Sequence, residues 1–427
     1  MMVRIRTLVF TLFLSCLLPT IGYGQMLNNS PDGDTPQKMT QLLRGCLGAG
    51  NTPSQRRDIC STLLDSEILS TEGRATALAY RASAFLDLFD YTAALRDFTE
   101  ALDLAPNNIG FLDGRARTFD DMGEHQKAIQ DYDLALQIAP KVAALYAGRA
   151  SSYAQMGNID AALRDLDQAQ KIDPLDINTL VTLGNLHVEL KQFDTAQAAY
   201  TKAIDIDPNR YSLYTRRGLA YLFGGNPTEA LTDFSFAIDH GEENPDALMF
   251  RGMANQRTDN IDAALADYTQ AINLDPTRAV AWHRRGMIYM DRKDYQQAFD
   301  NLNVAVQIQP ISDYYNSIAW LLVAAEDKSF RDPKAALDYV EKSLKLDENA
   351  DNADTAAAVH TLLGDQGQAM KFYRLSMELG GADRVQMYQE YLQKRGYYQG
   401  PIDGKIDEKI EAAIQAFSEE ALVLLVD

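Results

Sequence analysis

The sequence predicts an all-α repeat protein: a superhelical solenoid of helix-turn-helix hairpins, followed by a small helical C-terminal module. Three observations carry this. Proline recurs at one fixed interval, at Pro106, Pro140, Pro174, Pro208, Pro276 and Pro310, with a double step after Pro208 that passes over a copy bearing Glu242. Small residues recur in columns in the same register. The period stops near Arg384, where a shorter pattern of glycines and tyrosines begins.

Alanine stands twelve residues before each proline position (Ala94, Ala128, Ala162, Ala196, Ala230, Ala264, Ala298) and again five before it (Ala101, Ala135, Ala169, Ala203, Ala237, Ala271, Ala305). A third column reads Ala82, Ala116, Ala150, Gly184, Gly218, Gly252 and Gly286, and bulky residues stand at Phe98, Tyr132, Leu166, Tyr200, Phe234, Tyr268 and Leu302. Antiparallel helices approach closely only where side chains are small. The bulky residue then fills the gap beside the contact, and proline ends the second helix. Over residues 75–312, seven copies of this pattern resemble the tetratricopeptide repeat (TPR). The resemblance implies a concave groove, lined by first helices, that takes a protein or peptide partner. Some relatives hold C-terminal carboxylates with a Lys/Asn set. Ala79, Ser83, Asp113 and Val181 occupy the matching positions here, so that activity is not expected.

Residues 1–24 read as a secretory signal peptide: Arg4 and Arg6 precede an apolar run from Thr7 to Ile21, and Gly22 and Gly24 suit a cut before Gln25. An uncleaved anchor and lipid attachment at Cys16 are the competing readings. Residues 25–38 are polar and turn-rich, a mobile leader. Cleavage leaves Cys46 and Cys60. In an oxidising compartment they are expected to form a disulfide, and closing so short a loop stabilises by roughly 3 kcal/mol; the alternative is two unrelated thiols. Cys60 lies one repeat length before Ala94, so a degenerate hairpin over 39–74 is expected to cap the array, with Cys46 in its facing helix.

Two irregular hairpins are expected over 313–380, one from Asn316–Trp320 and Pro333–Val340, the other from Asp354–Ala356 and Gly367–Tyr373. In the first, Ala336 stands four residues late, an insertion in the hairpin loop. Residues 384–427 resemble the peptidoglycan-binding domain (type 1) family through Leu392, Gly396-Tyr397-Tyr398, Gly400, Ile402-Asp403-Gly404, Ala412-Ala413-Ile414 and Phe417. The chain departs from that family at Ile406-Asp407, at Ile410, and in the closing SEEALVLLVD. The resemblance implies wall contact through Tyr397, Tyr398 and Asp403. The other reading is a truncated module that only caps the last hairpin.

Forty basic residues against 60 acidic ones give a net charge of −20, which argues against nucleic acid as a partner. Six arginines keep the repeat register: Arg81, Arg115, Arg149, Arg217, Arg251 and Arg285. Sixteen residues after them stand Asp97, Asp131, Asp165, Asp233, Asp267 and Asn301. The copy without the arginine, at Leu183, also lacks the aspartate, at Ala199. The joint loss predicts a structural Arg–Asp ladder linking the two helices of each hairpin. If exposed, each pair contributes about 0–1 kcal/mol. Histidines fall in different columns, and no nucleophile, phosphate-loop or metal-ligand motif occurs, so neither catalysis nor a cofactor is expected.

Groove candidates are Arg117, Asn178, Asn185, Thr215, Arg216, Met249, Met253, His283 and Met287. The methionines suit an adaptable apolar contact, with core filling as the alternative. The expectation is an exported, non-catalytic scaffold, periplasmic or secreted from a Gram-negative cell. It would hold a protein partner in the groove and touch peptidoglycan with its tail, and no transmembrane segment would remain after signal cleavage. Rival readings are an accessory regulator of a wall enzyme and a chaperone-like carrier of exported proteins.

Overall fold

Several helices in this chain start where a short polar side chain or a proline precedes an apolar run. Thr52 and Gln55 satisfy each other's backbone N–H groups in a capping box (3.2 and 2.9 Å). Asp90, Asn158 and Asp294 each accept a backbone N–H at the third position of their helices. Pro227, Pro245 and Pro333 occupy first helical positions, where no N–H is needed.

The computed structural model describes residues 36–426 apart from 49, 67, 68, 242 and 243. The signal reading, Cys16, Glu242 and the leader up to residue 35 lie outside the described residues. Among the described residues there are 21 α-helices and no strand. The chain divides into two compact units, Met1–Gly224 and Gly225–Asp427.

The first unit holds α1 (Pro36–Leu47), α2 (Pro53–Leu64), α3 (Thr71–Asp87), α4 (Tyr91–Leu104), α5 (Ile109–Asp121), α6 (His125–Ile138), α7 (Ala143–Gln155), α8 (Ile159–Ile172), α9 (Ile177–Glu189), α10 (Phe193–Ile206) and α11 (Ser212–Phe223). The second holds α12 (Pro227–Asp239), α13 (Pro245–Arg257), α14 (Ile261–Leu274), α15 (Ala279–Asp291), α16 (Tyr295–Ile308), α17 (Ser312–Ala324), α18 (Pro333–Leu346), α19 (Ala350–Leu362), α20 (Gln366–Lys394) and α21 (Glu408–Val426). The four-residue insertion before α18 forms a 3-10 turn, Lys328–Phe330. In the first unit the first helices of successive hairpins pack side by side, α5 on α3, α7 on α5, α9 on α7 and α11 on α9.

Within each unit consecutive helices pair antiparallel, and the alanines of the two columns have no exposed surface. Phe98, Tyr132, Leu166, Tyr200, Phe234, Tyr268 and Leu302 are all buried. A Cβ on Gly184 would lie 2.6 Å from the Tyr200 ring, and one on Gly252 would lie 2.7 Å from Tyr268. Two rings press instead on glycines of the next hairpin: a Cβ on Gly114 would come within 2.4 Å of Phe98, and one on Gly148 within 2.5 Å of Tyr132. The same ring position therefore sets spacing both within a hairpin and between hairpins. At the N-terminal end, Cys46 on α1 and Cys60 on α2 form a disulfide with both residues fully buried. Arg56 of α2 pairs with Asp87 at the end of α3, anchoring this cap to the first full repeat.

The turn inside each hairpin carries one residue in the left-handed region, again at the repeat interval: Phe89, Gly123, Gly157, Lys191, Gly225, Asp259 and Lys293, with φ between 57° and 87°. A side chain there strains the backbone by about 1 kcal/mol, which glycine avoids. Lys191→Gly should therefore raise the melting temperature, and Gly157→Ala should lower it by a similar amount. Thermal melts followed by circular dichroism check both signs; a lower melting temperature for Lys191→Gly would contradict the strain.

Candidate functional site

The repeat arginines are the most regular polar feature of the chain. Arg81, Arg115, Arg149 and Arg251 each grip the carboxylate sixteen residues on with two N–H groups, at distances from 2.6 to 3.1 Å. Arg285 donates to Asn301 at 2.8 Å, and Arg217 donates to Thr201 at 3.1 Å. In the copy without the arginine, Ala199 is buried and Leu183 packs half-buried in the core. The aspartates are not exposed: Asp97 has no exposed surface, and Asp131, Asp165, Asp233 and Asp267 are 4–7% exposed. The pairs are therefore not of the exposed kind that contributes only about 0–1 kcal/mol. Removing one partner leaves a buried charge, which costs far more than an exposed pair contributes.

The ladder also has a second rung that the forward spacing alone does not suggest. Nη1 of Arg149 reaches back sixteen residues to Asp133 (2.6 Å), and that of Arg285 reaches back to Thr269 (3.1 Å). Thr201 stands in the same relation to Arg217. Each of these arginines thus ties its own hairpin to the preceding one. Aromatic rings flank the guanidinium: Tyr146 and Tyr153 beside Arg149, Tyr214 and Tyr221 beside Arg217, and Trp282 beside Arg285. Hydrogen bonding to Asp165 and Asp133 pushes the Arg149 guanidinium above the ordinary arginine range.

The groove candidates divide. Arg117 faces Asp113 at 3.6 Å. Asn178 and Asn185 are half-buried, and the Asn185 side-chain oxygen accepts the Tyr200 hydroxyl (2.7 Å) and Arg216 Nη1 (2.9 Å). Thr215, Arg216 and Met249 are 7%, 6% and 2% exposed, which corrects their placement as surface lining. Met249 fills core beside Leu248 and Phe250 because its position on α13 turns inward. Met253 and Met287 stay half-buried. His283 bonds through Nε2 to Ser317 (2.9 Å) and stacks on Tyr314. Burial, then the neighbouring Arg284 charge, pushes His283 down to about 4, so its ring is neutral at pH 7. Among the described residues no three His, Cys, Asp or Glu side chains gather as a metal-binding group.

The C-terminal module begins inside α20, which breaks at Gly381 (φ 64°). Its core is Val385, Tyr388, Leu392, Tyr398, Ile410, Ala413 and Ile414. Tyr398 is 2% exposed, donates its hydroxyl to the Pro401 carbonyl (2.9 Å), and is therefore a core residue, not a flat face for sugar. Asp403 is likewise committed to the turn, accepting from Gln389 Nε2 and the Lys405 N–H, both at 3.1 Å. The hydrogen bond from Gln389 is the main cause that holds its carboxyl below the usual range. Gln389, fully buried, also accepts the Gly404 N–H (3.0 Å) and is the hub of the turn. An isolated glutamine in a helix gives no sequence signal for that role. Tyr397 is half-buried, edge-on to Phe417, donates its hydroxyl to Glu420 (2.5 Å), and borders a recess of about 410 Å3 with Tyr398, Gln399, Gly400, Lys409, Ala412 and Ala413.

Paired antiparallel helices in every repeat, locked by buried small residues, define a helical-hairpin repeat protein that presents surfaces for protein–protein interaction. Tetratricopeptide repeat models match residues 80–143, 153–217, 215–279 and 251–311, and the chain belongs to that family. The model of the peptidoglycan binding domain matches residues 381–420. A tetratricopeptide repeat protein from Parabacteroides merdae is 19% identical, covering 59% of this chain and 99% of that one, with a TM-score of 0.46. A chain of the APC/C hetero-tetramer Cut9-Hcn1 is 18% identical, covering 76% of this chain and 63% of that one, with a TM-score of 0.58; this likeness shows the fold alone. No curated protein matches the sequence. Among the described residues no helix is long and apolar enough to cross a membrane.

Breaking the Arg149–Asp165 pair should cost about 3 kcal/mol from either side, and the double change should cost less than the sum of the singles. Arg149→Met should be slightly the worse single change, because it also removes the half-exposed pair to Asp133. A double-mutant cycle on the full chain checks this, and strict additivity would refute the coupling.

A second expectation concerns pH. Asp354 on α19 accepts the Tyr388 hydroxyl from α20 and faces Arg384 Nη1 at 3.6 Å. Burial pushes its carboxyl up to about 6, with Arg384 opposing and Asp351 adding to the rise. A folded value above the ordinary ~4 means the folded chain binds the proton first as pH falls. Its contribution to stability is therefore greatest below pH 4 and is lost as pH rises through 6. Asp354→Asn should reduce the gain in melting temperature seen between pH 7 and pH 5, and an unchanged gain would contradict the assignment.

Proposed function

We propose that this chain is an exported, non-catalytic scaffold of the cell envelope that holds a protein partner on its repeat surfaces while its C-terminal module rests on peptidoglycan. The observation that carries the reading is the joining of two binding architectures in one chain. Hairpin repeats of a protein-interaction family run directly, through α20, into a module matched by the peptidoglycan binding domain. A polypeptide of this composition ties a protein to a polymer. The N-terminal signal reading and the Cys46–Cys60 disulfide support an oxidising compartment outside the cytoplasm, for which a periplasmic location is the reading we favour.

Within the module, the recess beside Tyr397 is the surface we assign to glycan. Tyr397 offers its ring, with its hydroxyl paired to Glu420 at the rim, Lys409 a cation, and Ala412 an open floor. A saccharide there would stack on the ring and bond to the polar rim.

Purified full chain should co-sediment with isolated sacculi. Ala412→Trp, which fills the recess, and Tyr397→Ala should each release most of it while the helical signal and melting of the repeats stay unchanged. Unmodified protein that remains in the supernatant would overturn the wall contact.

A further inference from the structure

The copy of the repeat built from α13 and α14 departs from its neighbours around its arginine. Four residues after the other ladder arginines stands an aromatic ring, at Phe85, Phe119, Tyr153, Tyr221 and Tyr289, whereas Asn255 follows Arg251. Three residues before Arg251, where other copies have Tyr146, Tyr214 or Trp282, is Leu248. Arg251 is thus the one ladder arginine with an aromatic residue at neither place. Where such rings are present they lie against the guanidinium. The ring centre of Tyr153 is 5.9 Å from Arg149, that of Tyr221 5.8 Å from Arg217, and that of Trp282 4.8 Å from Arg285.

The missing ring leaves space. A recess of about 330 Å3 lies between α12, α13 and α14, lined by Arg251, Asn255 and Asp267 and by Leu231 and Ser235 of α12. Ala263 and Ala266 of α14 complete the lining and are exposed, so the recess opens to solvent. In every other copy at least one of these two positions carries a larger side chain, as Arg96, Gln130, Arg164 and Asp300 do. The polar groups inside are already fixed. Arg251 holds Asp267 through Nε (3.1 Å) and Nη2 (2.6 Å), and Asn255 Nδ2 donates to the same carboxylate (2.9 Å). Ser235 stands where Asp133, Thr201 and Thr269 accept from their arginines, yet among the described residues every hydrogen bond of Arg251 goes to Asp267. The recess therefore offers a held guanidinium, a serine hydroxyl, and apolar walls from Leu231 and two alanines.

We propose that this recess takes a tyrosine side chain of the protein partner, with the ring against Arg251 and the hydroxyl toward Ser235. The inference rests on the scaffold reading above and names the residue type by which the repeats recognise their partner. The incoming ring supplies beside Arg251 what the chain supplies for itself beside Arg149, Arg217 and Arg285. The volume is at the lower end of the about 300–1,000 Å3 of ligand pockets, which suits one side chain rather than a longer ligand. A tyrosine matches both the apolar walls and the polar end, and aromatic anchors seated in pockets carry much of the energy of protein interfaces. Two of the three helices, α12 and α14, are second helices in the repeat register, so the site is distinct from a groove lined by first helices.

Binding of N-acetyl-tyrosinamide to the purified full chain is read by saturation-transfer NMR, with N-acetyl-leucinamide and free L-tyrosine run alongside. The tyrosinamide should bind at millimolar concentration, and the leucinamide at least tenfold more weakly. Asn255→Tyr restores the ring that neighbouring copies carry, and Ala266→Arg places at the exposed mouth the side chain found at Arg96 and Arg164. Each should weaken tyrosinamide binding at least tenfold while the circular dichroism spectrum stays unchanged. No binding of the tyrosinamide, equal binding of the leucinamide, or undiminished binding in either folded variant would overturn the proposal. Free L-tyrosine binding at least tenfold tighter than the capped amide would make the occupant a small molecule and overturn the partner contact. Sedimentation on sacculi is independent of all these outcomes, so failure here and failure of the wall-scaffold reading are told apart.

Discussion

A single methyl group added to Gly148 would lie 2.5 Å from the ring of Tyr132, and this close approach is the constraint on which the rest of the structure depends. The bulky residue of each second helix has to lie against a first helix that has almost no side chain at that point. Where it does, hairpins stack at a fixed spacing, and the arginine sixteen residues away can reach its aspartate. The arginine of one hairpin then reaches back to the hairpin before it, as Arg149 does to Asp133 and Arg285 to Thr269. Packing sets the distance, and the ion pairs set the orientation. The acidic chain tolerates the buried carboxylates of Asp97, Asp131, Asp165 and Asp267 because the repeat delivers an arginine to each.

Much of this was legible in the sequence because the repeat writes the same physical requirement seven times. A column of alanine at a helix crossing has one simple reading, and the joint loss at Leu183 and Ala199 pointed to the ladder. What was not legible depends on local geometry that periodicity averages out. Gly114 and Gly148 stand two residues before the small column, so the contact from Phe98 and Tyr132 to the next hairpin was invisible in the register. The left-handed turn position carries Phe89, Lys191, Asp259 and Lys293 as well as glycine, and residue type alone does not mark it. Met249 was read as groove because methionine suits adaptable surfaces, yet a position one turn along α13 decides whether such a side chain faces in or out.

The tail teaches the same lesson in a smaller fold. Its Gly-Tyr-Tyr corner carried the family resemblance, but the two tyrosines do opposite things. Tyr398 is drawn inward by the Pro401 carbonyl and the apolar faces of the two helices, and Tyr397 is left at the rim. Gln389 holds the turn that makes this division possible, through bonds to Asp403, Lys405 and Gly404. A module this short has few apolar residues to bury. One fully satisfied glutamine at its centre substitutes for part of the missing core. The recess that remains open is therefore a product of how the turn is tied, and its chemistry follows from Tyr397 and Lys409.

The close approach of ring to glycine is tested most directly by a substitution and its rescue. Gly148→Ala should destabilise the full chain by about 1–3 kcal/mol, because a filled core has no room for the added methyl. Combining it with Tyr132→Leu, which removes the ring, should cost less than Gly148→Ala and Tyr132→Leu measured separately and summed. Denaturant titrations of the four proteins give that comparison. A harmless Gly148→Ala, or a double variant whose loss equals the sum of the singles, would show that the ring does not set the spacing between hairpins.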